Sequence, residues 1–309
     1  LRLETARPEK RGKPRGEGAR AFLLLLPYAL PFSLFILLPV LMAMALSFTY
    51  FDVINPPTFK GFLNFITLFT QDTVFLKNVL PNTFLYALVV GPGGYVLSFL
   101  IAWMLTQLPK GPRTVLALAV YTPSMLGSVF IGVVWRAIFS GDQRGIVNYL
   151  LINLGIIDEP IGFFSTGNRA LASVILINAW RWFPFNAVIF LAALQRIPQE
   201  LYEAASVDGA TTLRKFFHIT LPSLQPVLFV MGLIGTLMSF NVFDVIYLLT
   251  GGGPSGATTT LPVLIYETAF KRYRLSQAAA MSVITGVILL TFAMLFIRFL
   301  SPPSDTDEE

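Results

Sequence analysis

The sequence predicts an all-α membrane protein with six transmembrane helices, both termini in the cytoplasm and one helix-turn-helix loop on the cytoplasmic side. Composition is the first observation behind this prediction. Apolar residues make up 55% of the 309-residue chain and charged residues 13%, whereas a typical soluble domain has about 25% charged residues. The second observation is a series of long charge-free runs, and the third is an uneven distribution of Lys and Arg between the connections.

Six apolar runs follow one another along the chain, and each is long enough to cross a bilayer, which takes roughly 20 residues. They are residues 21–51, 78–109, 114–135, 170–194, 226–249 and 275–297. Arg181 interrupts the fourth run and Asp244 the fifth, and the other four carry no charge. Prolines inside these runs are compatible with helices, because neighbouring spans can satisfy the freed carbonyls. The Gly-Pro-Gly-Gly stretch at 91–94 predicts a kink in the second span.

One membrane domain, residues 21–300, is predicted between a basic tail at 1–20 and an acidic tail at 301–309. A secretory signal peptide is the rival interpretation of residues 1–45. The apolar run is too long for the core of a signal peptide, and no clear small-residue cleavage site follows it. We therefore expect a retained first span.

The distribution of Lys and Arg predicts which way the chain is oriented. Seven lie in the basic tail, and six more lie in connections or at span ends on the same side, including the loop at 196–222. The opposite side carries seven. This excess places both termini and the 196–222 loop in the cytoplasm. It also explains the net charge of +5 without nucleic acid, and the basic tail suits anionic lipid headgroups.

The 196–222 loop has the residue pattern of two short helices joined by a tight turn. Pro198 begins the first helix, and Gly209 stands where this helix ends and the backbone needs a positive φ. Thr211 or Thr212 caps the second helix. Pro222 is expected to end it.

The same loop resembles the signature loop of a transporter family. It contains Glu203-Ala204-Ala205, then Asp208-Gly209, then Ile219-Thr220-Leu221-Pro222. This order resembles the EAA loop in the permease subunits of bacterial ABC importers, and the whole chain resembles the carbohydrate branch, the relatives of the maltose permease. The resemblance implies the transmembrane fold of a type I ABC importer. It also implies docking into a cleft of the ATPase subunit through Glu203, Ala204, Ala205, Asp208, Gly209, Ile219 and Pro222.

Recognisable catalytic and metal-binding patterns are missing from the sequence. His218 is the only histidine and there is no cysteine, so the usual ligand spacings for zinc cannot occur. No G-x-x-x-x-G-K-[ST] phosphate loop is present either. We expect no catalytic residue, metal or cofactor on this chain, with ATP and Mg²⁺ bound by a separate ATPase subunit.

Polar residues inside the spans are the candidates for substrate contacts, because they are costly in hydrocarbon and usually face a cavity or another helix. A sugar needs polar groups for its hydroxyls and aromatic faces for its C–H surfaces. Trp182 and Phe185 are three residues apart, so they share a helix face, roughly with Asn178. The full set of candidates is Ser128, Asn178, Arg181, Trp182, Phe185, Ser239, Asn241 and Asp244.

The resemblance to the maltose-type permeases points to the same places. The matching positions are Ser128, Asn178, Trp182, Phe185 and the stretch 238–242. Two identities depart from the family: Trp182 replaces a small residue and Arg181 adds a charge. These departures indicate a smaller or differently oriented ligand. Ordinary helix packing is the alternative role for the aromatic residues, and interhelical hydrogen bonding is the alternative for Asn178 and Asn241.

Arg181 and Asp244 form a predicted pair. The fourth span descends from the outside and the fifth ascends. At 1.5 Å per residue, Arg181 lies roughly 16 Å and Asp244 roughly 9 Å below the outer boundary. An arginine side chain can bridge that difference. The spacing predicts a salt bridge or a shared sugar contact in the outer half of a cavity.

Three segments face outward: residues 52–77, 140–169 and 250–274. The second is long enough for a short helix at about 146–154. The third opens with Gly251-Gly252-Gly253-Pro254, which resembles the same sugar-permease family. This glycine run has two compatible roles: a tight turn leaving the fifth span, and part of a surface that meets an external binding protein.

Three functions compete at this point. The first is one subunit of an ATP-driven importer of a di- or oligosaccharide, with a second homologous permease, two ATPase subunits and an external sugar-binding protein as partners, and no nucleic acid. The second is the same kind of importer for another solute, such as a glycerophosphodiester or a polyamine. The third is a stand-alone secondary transporter or channel, which should show inverted repeats with broken helices, and no clear repeat is visible.

Overall fold

The computed structural model describes residues 17–301, with side chains from residue 23 onwards. Most of the predicted basic tail, residues 1–16, and most of the acidic tail, residues 302–309, lie outside the described part. Within it, five helices are long and apolar enough to cross a membrane, and a sixth span is made of two helices that meet at 99°. The predicted helical membrane fold is confirmed.

The spans are Leu23–Ser47, Phe75–Thr106, the bent pair Lys110–Met125 and Ser128–Ile138, Gly167–Leu194, Thr212–Leu249 and Leu275–Leu300. The helix of the first span begins at Glu17. The connections contain the short helices Leu63–Thr70, Ile146–Asn153, Gln199–Val207 and Leu261–Tyr266. After the first span, strand β1 (Thr49–Tyr50) pairs antiparallel with β2 (Thr58–Phe59), with Thr49 opposite Phe59. The helix predicted near 146–154 is therefore confirmed.

Short π-helical turns carry three of the helices past a proline. A proline lacks an N–H and clashes with the carbonyl four residues earlier. The wider π turns Ser33–Leu37, Phe75–Val79 and Phe216–Thr220 each end two residues before a proline. In each case the carbonyl four residues before the proline belongs to the π turn. The wider turn displaces this carbonyl from the position it would have in a regular α-helix.

This arrangement overturns the expectation that Pro222 ends the second helix of the cytoplasmic loop. The helix begins at Thr212, passes through Phe216–Thr220 and continues into Leu221–Phe240. The fifth span therefore starts in the loop and is longer than the predicted 226–249. The loop helix and the fifth span are thus one continuous helix as far as Phe240.

The third span differs from the single helix predicted at 114–135. Its first helix ends in a 3₁₀ turn, Thr122–Met125, that contains Pro123. Leu126 and Gly127 are extended, and the second helix starts at Ser128 in a new direction. Apolar composition predicted the length of the span, but it carries no information about a bend.

Three apolar clusters hold the spans together. Near the predicted cytoplasmic ends, Phe99 and Phe190 pack edge-to-face between the second and fourth spans, with ring centroids 5.7 Å apart. Towards the other end, Ile177 and Ile246 belong to a cluster that joins the second to fifth spans. The third cluster joins the second and sixth spans through residues such as Met281. The first span packs on the sixth mainly through Leu38–Ser47.

Candidate functional site

An ion pair links the fourth and fifth spans inside the bundle. Nη1 of Arg181 lies 3.1 Å from Oδ2 of Asp244, so the predicted salt bridge is confirmed. Asp244 begins the helix Asp244–Leu249, directly after the break at 241–243. The side chains are 19% and 44% exposed, so the carboxylate remains open to a ligand while the guanidinium is mostly shielded.

Two further side chains bring the second and fourth spans together beside this pair. The amide Nδ2 of Asn178 donates a hydrogen bond to the hydroxyl of Tyr86. Both side chains are buried, and the amide Oδ1 of Asn178 has no hydrogen-bond partner among the described residues. Asn178 lies three residues before Arg181 on the same helix, so the two side chains are neighbours along it. A buried acceptor without a donor is therefore left at the edge of a charged cluster.

Ser128 completes the cluster from the third span. Its hydroxyl is directed at the Asp244 carboxylate, and it begins the second helix of the bent span. The 99° bend brings this helix end to the fifth span. Four spans thus contribute polar groups to one place, which we call the polar cluster: Tyr86, Ser128, Asn178, Arg181 and Asp244.

The aromatic candidates flank the cluster on the fourth span. Trp182 is 40% exposed and Phe185 is 44% exposed, so both rings have free surface. The guanidinium carbon of Arg181 lies 6.0 Å from the ring centroid of Trp182, a cation–π distance. Asn178 is turned inward to Tyr86 and does not share their exposure. The three residues share one side of the helix Gly167–Leu194, as the spacing predicted, but only the two aromatic residues are exposed.

The remaining two candidates, Ser239 and Asn241, make contacts outside the polar cluster. Oγ of Ser239 is buried and donates to the backbone oxygens of Ala87 (3.1 Å) and Thr236 (2.7 Å). It holds the fifth span against the second beside Gly91, where an added Cβ would lie 2.9 Å from that hydroxyl oxygen. Asn241 is exposed, and its Nδ2 donates to its own helix at the Leu237 oxygen, 3.0 Å away.

Two residues of this region were missed in the sequence. Tyr86 carries a phenol in the middle of a charge-free run, where a buried hydroxyl needs a partner. Arg136 lies at the end of the third span, and its Nε donates to the Leu249 carbonyl at 3.0 Å. It caps the helix that begins with Asp244, where a cation also suits the helix dipole. Both residues could have been identified in the sequence as isolated polar groups in or at the end of an apolar span.

The 196–222 loop, predicted to be cytoplasmic, forms the predicted pair of helices around a tight turn. Gly209 has φ +72°, as its position predicted, and Oγ1 of Thr211 accepts a hydrogen bond from the Arg214 N–H. The hydroxyls of Tyr202 and Thr220 lie 2.8 Å apart. The first loop helix is thereby tied to the root of the fifth span.

Exposed apolar side chains surround the predicted docking residues of this loop. Val207 is 88% exposed and Leu213 is 71% exposed. Glu203, Ala204, Asp208, Gly209 and Pro222 are also exposed, whereas Ala205 and Ile219 are half-buried. Apolar side chains grouped on an otherwise polar loop are typical of a surface that another protein covers.

At the other end of the bundle, the glycine-rich loop is held tightly against the second span. Nδ2 of Asn82 donates to the backbone oxygens of Ala257 (2.9 Å) and Thr259 (3.3 Å). Gly252 has φ +88°, and a Cβ there would lie 2.6 Å from Oγ1 of Thr259. The predicted tight turn is confirmed, and glycine is required at this position for both reasons.

The 140–162 loop on the same side is organised by Asn148. Its amide donates to the carbonyls of Ser140 and Ile161 and accepts from the Ile161 N–H. Asp142 begins the turn, and a hydrogen bond from the Ser140 hydroxyl lowers the pKa of its carboxyl. This loop therefore presents a defined shape.

Comparison with known proteins decides the family. The model of the binding-protein-dependent transport system inner membrane component matches residues 21–303. The chain belongs to this family. The permease is accordingly a multi-pass protein of the inner membrane.

Two relatives cover nearly the whole permease. It is 34% identical to the sulfoquinovosyl glycerol transport system permease protein SmoG of Agrobacterium fabrum (strain C58 / ATCC 33970), over 92% of this chain and 91% of that protein. It is 33% identical to the sn-glycerol-3-phosphate transport system permease protein UgpA of Yersinia pestis bv. Antiqua (strain Antiqua), over 90% of this chain and 92% of that protein.

A solved structure has the same architecture. One chain in the crystal structure of a bacterial alginate ABC transporter, in complex with an alginate pentasaccharide-bound periplasmic protein, superposes with a TM-score of 0.80. It is 25% identical, and the match covers 93% of this chain and 96% of that one. The permease therefore has the fold of a type I ABC importer subunit.

Proposed function

We propose that this permease is one transmembrane subunit of an ATP-driven importer that takes a di- or oligosaccharide from an external binding protein and passes it inward. The observation that carries this proposal is the polar cluster between four spans, bordered by two exposed aromatic rings. The names of SmoG and of the alginate transporter support a carbohydrate substrate.

The chemistry of the cluster suits a neutral, hydroxyl-rich ligand. Arg181 and Asp244 neutralise each other, so the pair offers donors and acceptors without a net charge. Oδ1 of Asn178 is buried, and it can accept a hydroxyl hydrogen once the surrounding spans move apart during transport. Trp182 and Phe185 present ring faces for the C–H surface of a sugar. A ligand that pairs with these groups relieves the cost of leaving a buried acceptor unsatisfied.

The cytoplasmic loop is the proposed docking surface for an ATPase. This role is supported by the exposed Val207 and Leu213 beside Glu203, and by the continuity of Thr212–Leu249 from the loop to Asp244. Closure of two ATPase subunits would then move the fifth span as a rigid body. In this assembly ATP and Mg²⁺ bind the ATPases, no cofactor binds this chain, and a second homologous permease completes the pore.

A charge exchange tests the role of the ion pair. Arg181→Asp or Asp244→Arg alone leaves two like charges side by side within the membrane, and we expect each to lower uptake of the substrate sugar at least tenfold. The double exchange restores the attraction and should recover much of the uptake. Radiolabelled sugar uptake at equal membrane abundance is the measurement.

The pair of Lys271 and Glu267, 3.2 Å apart with the Lys271 side chain 50% exposed, provides a control outside the polar cluster. Exposed ion pairs contribute little, so Lys271→Glu should leave uptake within about twofold. A double exchange at Arg181 and Asp244 that is as inactive as either single change, while the protein is inserted normally, would contradict the proposed pairing in transport.

A glycerol phosphate ester is the second candidate substrate, and the similarity to UgpA favours it. A phosphate needs uncompensated positive charge, but Asp244 neutralises Arg181. Asp244→Asn separates the two candidates: it should weaken sugar uptake, whereas it should strengthen the uptake of a phosphate ester. Competition assays with sn-glycerol 3-phosphate and with neutral disaccharides distinguish these outcomes.

A further inference from the structure

A groove of about 400 Å³ lies between the first helix of the third span, Lys110–Met125, and the end of the fourth span. None of its lining residues belongs to the polar cluster or to the docking residues of the loop. Six of its lining residues lie on the third span, at the spacing of a single helix face. They are Lys110, Arg113, Thr114, Ala117, Leu118 and Tyr121.

The polarity of the groove changes along its length. The fourth span contributes Val188, Leu191 and Gln195 and runs antiparallel to the third. Gln195 therefore lies near Lys110 and Arg113 at the predicted cytoplasmic end, while Val188 faces the apolar part. Eleven residues separate Lys110 from Tyr121, which corresponds to about 16 Å along the helix. One end of the groove is basic, and the rest, from Ala117 to Tyr121, is apolar over about 6 Å of the helix, enough for the first part of a lipid chain.

No described acid forms an ion pair with the two cations at the basic end. Among the side chains of residues 23–301, the ion pairs involve Asp244 and Glu267 only, and neither acid pairs with Lys110 or Arg113. Lys110 is exposed and Arg113 is half-buried. The positive end of the helix that begins at Lys110 adds to the same field. The basic end is therefore suited to an anion.

We propose that this groove binds an anionic phospholipid of the inner leaflet. Lys110 and Arg113 hold its phosphate, Gln195 and Thr114 supply hydrogen bonds, and one acyl chain lies along Leu118 and Tyr121. Basic pockets between transmembrane helices on the cytoplasmic side are a known way to hold anionic headgroups. A free phosphate would occupy the basic end alone and leave the apolar part empty.

A bound lipid would join the third and fourth spans where the fourth enters the cytoplasmic loop. Gln195 in the groove is next to Arg196 at the start of that loop. Loss of the lipid should therefore loosen the spans next to the docking surface while leaving the polar cluster intact. This dependence on lipid does not require the proposed sugar substrate, so the two proposals can fail independently.

The test is lipid titration of the full chain in its purified assembly, exchanged into phosphatidylcholine and followed by native mass spectrometry. One phosphatidylglycerol molecule should bind tightly. Replacing both cations, Lys110→Gln with Arg113→Gln, should weaken this binding about 25-fold, since each cation near the surface contributes a factor of about five. Arg298→Gln, at the end of the sixth span outside the groove, is the control and should leave binding unchanged.

A second variant keeps the charges and fills the apolar part. Ala117→Phe should lower phosphatidylglycerol binding as strongly as the double charge variant. Because the two variants change different parts of the groove, a folding defect specific to one of them would not explain the loss of binding in both. Equal binding by the wild type and the charge variant would overturn the proposal. So would displacement of the lipid by inorganic phosphate, or a groove covered by another subunit that admits no lipid in the assembly.

Discussion

Tyr86 and Asn178 join the second and fourth spans through a hydrogen bond between two buried side chains. In a low-dielectric interior, a polar group without a partner costs about 1–3 kcal/mol. Oδ1 of Asn178 is such a group among the described residues, and it lies beside the Arg181–Asp244 pair. The residue that links the two helices is thus also the one with unused hydrogen-bonding capacity, and a sugar hydroxyl would supply the missing donor.

Tyr86→Phe tests this dual role. The change leaves the Asn178 amide with no partner at all, so we expect a loss of about 1–3 kcal/mol in stability and a higher KM for the sugar. Because the cost comes from the unpaired amide, the same change should cost much less in an Asn178→Leu background. Denaturation in detergent and uptake kinetics provide the two measurements.

Tyr95→Phe is the matched control within the same span. The Tyr95 hydroxyl donates to the Leu228 carbonyl at 2.6 Å, outside the polar cluster. Its loss should lower stability by a similar amount without altering KM. If both phenylalanine variants changed KM equally, the specific role of Tyr86 at the site would have to be abandoned.

The second helix of the 196–222 loop and the fifth span form one continuous element. Gly209 turns the chain at a positive φ, its N–H donates to the Ser206 carbonyl, and the Ala210 N–H donates to the Ala205 carbonyl. The second loop helix then continues past Pro222 by means of a π turn. The tight turn at Gly209 is therefore followed by a helix that extends to the break at 241–243, just before Asp244.

Gly209→Pro should uncouple the importer while the chain still inserts in the membrane. Proline cannot adopt a positive φ and cannot donate the hydrogen bond to Ser206, so the two loop helices lose their fixed angle. We expect stimulation of ATPase activity by sugar-loaded binding protein to be lost. Normal stimulation in this variant would show that the turn is not needed for coupling.

Gly155 offers a closely matched control for this substitution. It has φ +68°, its N–H donates to the Ile152 carbonyl, and the Ile156 N–H donates to the Leu151 carbonyl. The backbone arrangement is the same as at Gly209, but this turn lies in the segment predicted to face outward. Gly155→Pro should cost comparable local stability and leave the stimulation of the ATPase in place.

At the scale of the whole molecule, the permease has a polar centre, a solvent-exposed docking loop and a first span that packs mainly on the sixth. No phosphate-binding loop occurs in its sequence. If transport is driven by ATP, a separate subunit must therefore hydrolyse it. The arrangement is that of one part of a larger assembly. A stand-alone transporter would instead use its own charged residues to couple ions to the substrate.

Co-purification distinguishes these two possibilities. An ATPase should accompany the wild-type permease from detergent-solubilised membranes, and it should be lost from the variant Glu203→Lys with Gly209→Asp. These changes reverse a charge and strain the turn on the proposed docking surface, while leaving the polar cluster untouched. Absence of an ATPase from the wild-type sample, together with sugar uptake that does not need ATP, would favour the stand-alone transporter.

Much of the fold and part of the candidate site could be predicted from the local sequence alone. Charge-free runs determined the number of spans, and the EAA-type loop determined the family. The spacing of Arg181 and Asp244 from the span ends determined their pairing, and the glycine between two helical patterns determined the positive φ at Gly209. The cytoplasmic placement of the loop and the sites of substrate contact stay predictions.

Only the tertiary structure decided which faces of the spans meet. It placed Tyr86 in the polar cluster, assigned Ser239 to helix packing, buried Asn178 against Tyr86 and bent the third span towards Asp244. The physical reason is that lipid and the interior of the bundle are equally apolar. A charge-free helix therefore shows no hydrophobic stripe to mark its buried side, and the choice of side depends on close packing and hydrogen bonds with residues far away in the chain.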